Sequence, residues 1–168
     1  CRKILTAAES YPWPTPFQRT RAVAVIATIL YAGLRRGELL RLTYADVSLD
    51  DGTIRILRGK GRGGGKDRTA YIAPELRKIL EDYLRERRRR NIVGPGFFSS
   101  ERTGQGISLA TLRRIHKAVR RASGIAFSLH GLRHSFVTML LRSGVPLHVA
   151  RELAGHTSIT TTAGYLRV

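Results

Sequence analysis

Apolar residues recur every three or four positions in several stretches of the chain, which is the spacing of an amphipathic helix. Residues 19–30 follow this spacing, and the segment that begins at Gly37 predicts a second, shorter helix. The same pattern covers residues 74–84, with a proline at the first helical position. Further helices are predicted to begin near Ser108, His130, Pro146 and Ser158. The chain is therefore expected to be mainly helical.

Alternation with a period of two predicts two strands in the middle of the chain. TIRILRG (53–59) alternates isoleucine with polar residues, and RTAYIA (68–73) predicts the returning strand. KGRGGGK (60–66) predicts a flexible hairpin tip between them, and GFFSS (96–100) predicts a short third strand. We expect residues 1–168 to form a single α+β domain, mainly α-helical, with a small antiparallel sheet and hairpin.

Charge narrows the choice of partner. The chain has 30 Lys and Arg residues against 12 Asp and Glu residues, a formal net charge of +18, and this excess favours a polyanionic partner such as nucleic acid. We interpret most of the run RERRRR (85–90) as a solvated helix end. No apolar run approaches the roughly 20 residues that cross a bilayer, so no membrane partner is expected.

The single cysteine, Cys1, excludes an intrachain disulfide and a cysteine-based zinc site. This composition agrees with a reducing compartment, and we expect a cytoplasmic, nucleoid-associated protein. Because the chain does not start with methionine, we also expect an upstream domain outside it.

Two short motifs place basic side chains where they could hold a phosphate. In YAGLRRGELLRL, Glu38 follows Arg35 by three residues, so its carboxylate can orient the guanidinium. In HGLRHSF, the same spacing puts His130 and Arg133 on one helix face, where both could reach one phosphate. An ordinary surface arginine remains the alternative for Arg35.

Competing motifs fail on their context. His130 and His134 have the spacing of a metalloprotease zinc pair, but Gly131 replaces the glutamate and no third ligand is evident, so we expect no metal. His134 is instead interpreted as a structural histidine. The glycine-rich tip contains G-x-G-x-x-G, but it lies between two strands, and Lys60 and Asp67 break a Walker A motif, so no nucleotide cofactor is expected.

Five motifs in order, namely AGLRRGELLRL, RGKG, HGLRH, LAGH and the terminal Tyr165, resemble the catalytic domain of the tyrosine recombinases, the phage integrase and Xer family. The resemblance spans residues 33–165. It implies that Arg35 and Arg133 are the catalytic arginines and that Glu38 supports the first. The other catalytic residues that it implies are Lys60, His130, His156 and Tyr165. It also implies a homotetramer on double-stranded DNA, and an N-terminal DNA-clamping domain that is not expected within this chain.

The implied chemistry suits these residue types. Two permanently charged guanidinium groups can clamp a phosphate and stabilise the charge of a pentacovalent transition state. Tyr165 would attack the phosphodiester to form a 3′-phosphotyrosine, with His130 as the base and Lys60 as the acid for the leaving 5′ oxygen. His156 would bind the phosphate or position the tyrosine. A 5′-hydroxyl of another strand would reseal the bond, so neither a metal nor ATP is needed.

Other functions remain open at this point. A type IB topoisomerase would use the same residue types, and a DNA-binding module without catalysis would keep only the charge. An RNA-binding domain is disfavoured because the chain lacks an aromatic stacking motif of the RRM type. Tyr165 could also be a half-buried anchor of the last helix. The additional candidates for contact with the DNA backbone are Arg36, Arg62, Lys66, Arg113 and Arg114.

Overall fold

Seven helices and a three-stranded sheet make up the described part of the chain, residues 1–57 and 67–155 of a computed structural model. The helices are α1 (Arg2–Ser10), α2 (Pro16–Ala32), α3 (Arg36–Arg41), α4 (Pro74–Arg89), α5 (Leu109–Ser123), α6 (Leu129–Arg142) and α7 (Leu147–Ala154). The strands are β1 (Val47–Ser48), β2 (Thr53–Ile56) and β3 (Arg68–Tyr71). The predicted fold class, α+β and mainly helical, is confirmed. The predicted helix near Ser158 lies outside the described residues.

Helix α2 forms the centre of the core, since it is apolar on nearly every face and packs against α1, α4 and α6. It begins where the Thr15 hydroxyl accepts a hydrogen bond from the backbone N–H of Gln18, with Pro16 at the first helical position. It ends at Gly33, whose φ of 65° is left-handed. Within residues 1–57 and 67–155, none of the helices has the length and apolar character that crossing a bilayer requires.

The predicted pair of central strands is present. β2 and β3 are antiparallel, with Ile54 opposite Ala70 and Ile56 opposite Arg68. The expected third strand at residues 96–100 is wrong, because that segment forms only isolated bridges and the third strand is β1, paired with β2. The order of the sheet is β1-β2-β3. The predicted hairpin tip, residues 60–66, lies outside the described residues.

The segment at 96–100 is held by side chains of α4 instead of by a strand ladder. Arg87 is buried and donates from Nε to the Ser99 hydroxyl at 2.9 Å and from Nη2 to the Gly94 carbonyl at 2.7 Å. Arg87 is thus the exception in RERRRR, whereas Arg88, Arg89 and Arg90 are exposed, as a solvated helix end requires. Arg87 follows Tyr83 and Leu84 on the buried face of the helix, so the helical period itself brings this guanidinium inward.

Helices α5, α6 and α7 complete the fold and lie where the sequence predicts them. Ser108 caps α5 and Ser128 caps α6, each through a hydroxyl that accepts a backbone N–H three residues ahead. α7 packs against α6 and β3 and ends at Gly155, which has a φ of 66°. Helix α1, which the sequence pattern did not predict, packs against α2 and α5.

Candidate active site

The loop after α2 delivers the first predicted arginine. Leu34 is buried, and Arg35 becomes the N-cap residue of α3. The Glu38 carboxylate accepts from the Arg35 backbone N–H at 2.7 Å and from Arg35 Nη1 at 3.1 Å. The spacing of three residues thus gives the contact that the sequence predicts. One carboxylate fixes both the start of the helix and the direction of the guanidinium.

A second arginine, Arg68 at the start of β3, binds the same carboxylate. Its Nη2 lies 2.8 Å from Glu38 Oε2, and its side chain is only 7% exposed. Burial by itself would raise the pKa of Glu38, but the charge of Arg68, the N–H and charge of Arg35 and the charge of Arg133 together hold this pKa below its usual range. Glu38 is therefore a buried carboxylate that stays ionised among cations.

No sequence motif singles out Arg68, although its strand carries a usable signal. Arg68 lies opposite Ile56 in the sheet and two residues before the buried Ala70, on the same face of the strand, so it occupies an inward-facing position. A charged residue at such a position requires a buried partner. The partner is thirty residues away in sequence, which is why spacing along one element could not identify it.

Three arginines converge on the C-terminal end of α7. Arg68 Nη1 donates to the Leu153 carbonyl at 2.8 Å, Arg133 donates to the Ala154 carbonyl, and Arg35 Nη2 donates to the Gly155 carbonyl at 2.8 Å. The last carbonyl groups of a helix receive no hydrogen bond from within the helix, and they form its negative pole. Cationic donors therefore stabilise them. We call Arg35, Arg68 and Arg133 the arginine cluster. His156 follows Gly155 directly in the sequence, but it lies outside the described residues.

Helix α6 contributes the predicted histidine and arginine pair. Arg133 is buried, with 3% exposure, and also donates from Nη1 to the Gly33 carbonyl. His130 is exposed, and its ring centroid lies 4.4 Å from that of His134. Burial, followed by the nearby charges of His130 and Arg133, lowers the pKa of His134. His134 is thus held neutral beside the cluster, and its structural role stays a prediction.

A groove of about 640 Å³ brings most of the described candidates together. Among the described residues that line it are four arginines and two histidines, and none of these described residues is acidic. These basic residues are Arg35, Arg36, Arg113, His116, His130 and Arg133. Such a concave, positively charged surface fits a phosphate group. In the described part of the chain, no His, Cys, Asp and Glu side chains gather into a group that could hold a metal ion.

His116 is the groove residue that the sequence did not indicate. Its Nε2 lies 2.8 Å from the Phe127 carbonyl, which orients the ring, and it follows Arg113 by one helical turn on α5. Its spacing of three residues from Arg113, a candidate for contact with the DNA backbone, could have indicated that His116 lies on the same helix face. Arg114 does not line the groove, and its Nη2 donates to the Thr111 hydroxyl. The other predicted site residues, Lys60, Arg62, Lys66 and Tyr165, lie outside the described residues, as His156 does.

Comparison with known proteins identifies close sequence relatives. The family model described as the phage integrase family matches residues 1–168. Tyrosine recombinase XerA of Pyrococcus furiosus is 36% identical over 155 residues, covering 91% of this chain and 52% of XerA. Tyrosine recombinase XerD of Listeria innocua is 38% identical over 146 residues, covering 83% of this chain and 48% of XerD. The chain thus spans about half the length of the curated relatives that it matches.

Solved structures share the fold. The crystal structure of XerA recombinase superposes with a TM-score of 0.84 at 31% identity, covering 99% of this chain and 57% of the other. XerH site-specific recombinase, bound to its difH substrate in a pre-cleavage complex, gives a TM-score of 0.79 at 27% identity, covering 98% of this chain and 47% of the other. The sequence match over the whole chain and these structural likenesses agree with the motif order. The chain is a member of the phage integrase family of tyrosine recombinases.

Proposed function

We propose that residues 1–168 form the catalytic domain of a site-specific DNA recombinase. The observation that carries this proposal is that Arg35, at the N-cap of α3, and Arg133, on α6, meet at one groove. No acidic side chain is among the residues of 1–57 and 67–155 that line this groove. In this reaction the Tyr165 oxygen bonds to a DNA phosphorus while the bond from phosphorus to the 5′ oxygen breaks. The 3′-phosphotyrosine retains the energy of the broken bond, so a 5′-hydroxyl of another strand reseals it without metal or ATP.

The arginine cluster supports the part of the mechanism that stabilises charge. Glu38, Gly33 and the end of α7 accept hydrogen bonds that fix the guanidinium planes of Arg35 and Arg133. Donors that are already oriented need no reorganisation when negative charge develops on the phosphate oxygens. Each guanidinium has five N–H donors, so contacts with protein carbonyls leave room for phosphate contacts.

Proton transfer in the proposed mechanism involves groups that the resemblance to the family assigns. His130, exposed at the groove beside Arg133, accepts the Tyr165 proton. Lys60 gives a proton to the leaving 5′ oxygen, and His156 binds the phosphate or positions the tyrosine. Lys60, His156 and Tyr165 lie outside the described residues, so these roles rest on the motif order alone.

The proposed partners are double-stranded DNA and further copies of the same protein. The net charge of +18 and the basic groove support a DNA partner. The relative XerH was solved on its own DNA substrate, which is consistent with this choice. A homotetramer on two DNA sites follows from the family resemblance. Arg36 and Arg113 are the described candidates for contact with the DNA backbone at the groove.

Covalent capture tests the proposal directly. The chain and its Tyr165→Phe variant are incubated with supercoiled and with nicked DNA, in the presence of a chelator, and the reactions are quenched with detergent. We expect a protein–DNA adduct at a 3′ end for the wild type and none for Tyr165→Phe. Tyr71→Phe, which removes the hydroxyl of an exposed tyrosine on β3, is the matched control and should form the adduct normally. DNA binding by the wild type without an adduct would refute the catalytic role.

Supplying two duplexes then separates recombination from nicking and resealing. Transfer of a labelled strand from one duplex to the other is expected of a recombinase. Relaxation of supercoiled DNA without exchange would instead support a type IB topoisomerase activity.

A further inference from the structure

Arg68 connects three separate parts of the candidate site. One edge of its guanidinium reaches the Leu153 carbonyl at the end of α7, at 2.8 Å. The other edge reaches Glu38 Oε2 at 2.8 Å and the Gly33 carbonyl at 3.5 Å. Its side chain is almost fully buried, so it is not placed to contact DNA. Arg68 also begins the strand that follows the predicted hairpin tip, the segment that carries Lys60.

Glu38 is shared between two arginines through different oxygens. Oε1 accepts from Arg35 and Oε2 accepts from Arg68, while the Arg35 backbone N–H also donates to Oε2. If Arg68 were absent, the carboxylate would be free to rotate toward Arg35 and draw its guanidinium away from the groove. The end of α7 would also lose the donor to Leu153, one of the contacts that precede His156 in the chain.

We propose that Arg68 is a positioning residue for DNA cleavage, which holds Glu38 and the C-terminal end of α7 so that Arg35 meets the phosphate in one orientation. This inference rests on the proposed function. An arginine suits the role because its planar fork spans two acceptors at once. A lysine would keep the charge but could satisfy only one of the two acceptors in the same geometry.

Single-turnover cleavage of nicked DNA by the chain, at saturating protein, measures this role. The variants are Arg68→Met and Arg68→Lys. The control is Arg55→Met, which removes an arginine of the neighbouring strand that pairs with Asp46 outside the cluster. We expect unchanged DNA affinity for all three variants. Cleavage should slow by about 100-fold in Arg68→Met, by less in Arg68→Lys, and not at all in Arg55→Met.

A second substrate shows whether Arg68 affects cleavage through the orientation of Arg35 or through the proposed acid Lys60. Replacing the bridging 5′ oxygen with sulfur gives a leaving group that needs no proton, so it should restore cleavage to Lys60→Ala, which lacks the proposed acid. The same substrate should not restore cleavage to Arg68→Met, because the defect lies in the orientation of Arg35. Restoration by sulfur would show that Arg68 acts only through the hairpin and would overturn the inference.

The pH profile of cleavage gives a readout that a merely structural role would not move. The groups that face Glu38 are Arg35 from the start of α3, Arg68 from β3 and Arg133 from α6. Loss of the Arg68 charge raises the pKa of Glu38. In a His130→Ala background, which removes the proposed base from the profile, the acidic limb should therefore move to higher pH when Arg68→Met is added. An unmoved limb would contradict the inference.

The other possible results with the Arg68 variants also decide for or against the inference. A wild-type cleavage rate in Arg68→Met would overturn the inference, and so would parallel loss of stability and DNA affinity in both Arg68 variants. If Arg68→Met does not fold, Arg68→Lys decides alone through slower cleavage at unchanged affinity. Absence of an adduct in the wild type would refute the proposed function itself, whereas a normal wild type with normal Arg68 variants would refute only this inference.

Discussion

At the scale of single residues, Glu38 links the geometry of the site to its stability. Its folded-state pKa is lowered, so its stabilising contribution is fully present above the unfolded-state value of about 4.3 and is lost as the pH falls through the folded-state pKa. Glu38→Gln should lower the free energy of unfolding by about 3 kcal/mol near neutral pH, because it leaves buried Arg68 without its carboxylate. The difference from the wild type should shrink below about pH 4.

Urea denaturation at several pH values measures this dependence. Asp82→Asn is the control, since Asp82 forms an exposed pair with Arg85 one helical turn away. That substitution should change the free energy of unfolding by about 0.5 kcal/mol or less. Equal effects of the two substitutions would contradict the buried role of Glu38.

Gly33 offers a second prediction at this scale, with a close control in the same chain. Gly33 and Gly124 both have a φ of 65° and both end a helix. A Cβ at Gly33 would lie 2.2 Å from Cδ1 of Phe136, whereas one at Gly124 would meet no atom within 4 Å. Gly124→Ala should therefore cost only the backbone strain, about 1 kcal/mol.

Gly33→Ala should cost about 1–3 kcal/mol more than Gly124→Ala in urea denaturation, because the ring of Phe136 must also move. The Gly33 carbonyl accepts from Arg133, so the same substitution should also slow covalent capture. Similar losses of stability in the two variants would show that the contact with Phe136 is not limiting.

The residues of the site differ in how far the sequence could predict them. Arg35 with Glu38, and His130 with Arg133, are each three residues apart, and local helical geometry decides whether such side chains share a face. Arg68 depends on strand register and on a carboxylate from another element. Local spacing therefore predicts the pairs that lie within one element, whereas the contacts between elements required the fold.

At the scale of elements, the cap of α6 links helix stability to function. The Ser128 hydroxyl accepts from the Gly131 N–H at the start of the helix that carries His130 and Arg133. Ser128→Ala should cost about 1 kcal/mol of stability. Ser108→Ala, which removes the equivalent cap of α5, should cost a similar amount.

Only Ser128→Ala should also slow covalent capture, because the first turn of α6 contains His130. Thermal denaturation and the capture rate, measured on both variants, separate the two effects. An equal loss of capture in both variants would mean that general stability, and not the position of α6, limits the reaction.

The elements that the sequence mispredicted share a physical cause. β1 has only two residues, which is too short for an alternating pattern, so the edge of the sheet was assigned to residues 96–100. That segment is apolar because it is buried beneath α4, with Tyr83 donating to the Phe97 carbonyl. A buried loop and a buried strand have the same apolar composition, and only the hydrogen-bond pairing of the backbone distinguishes the two.

At the scale of the whole molecule, the distribution of charge matters more than its sum. The net charge of +18 would attract any polyanion, but the part of the groove lining that the structure describes contains arginines and histidines and no acidic residue. Cations that touch phosphates release counterions, so they determine how steeply DNA affinity falls with salt. Cations elsewhere on the surface contribute little to that slope.

The double substitution of Arg36 and Arg113 by alanine tests this distinction, because both side chains line the groove. We expect the plot of log affinity against log salt to become less steep by about 2 units of slope, since each phosphate contact contributes about 0.9. Replacing Arg88 and Arg89 by alanine removes the same charge from two exposed positions in the last turn of α4, outside the groove lining, and should leave the slope nearly unchanged. If the two double substitutions made the salt dependence less steep by the same amount, DNA binding would depend on net charge alone. The groove would then not be the surface that binds the DNA backbone.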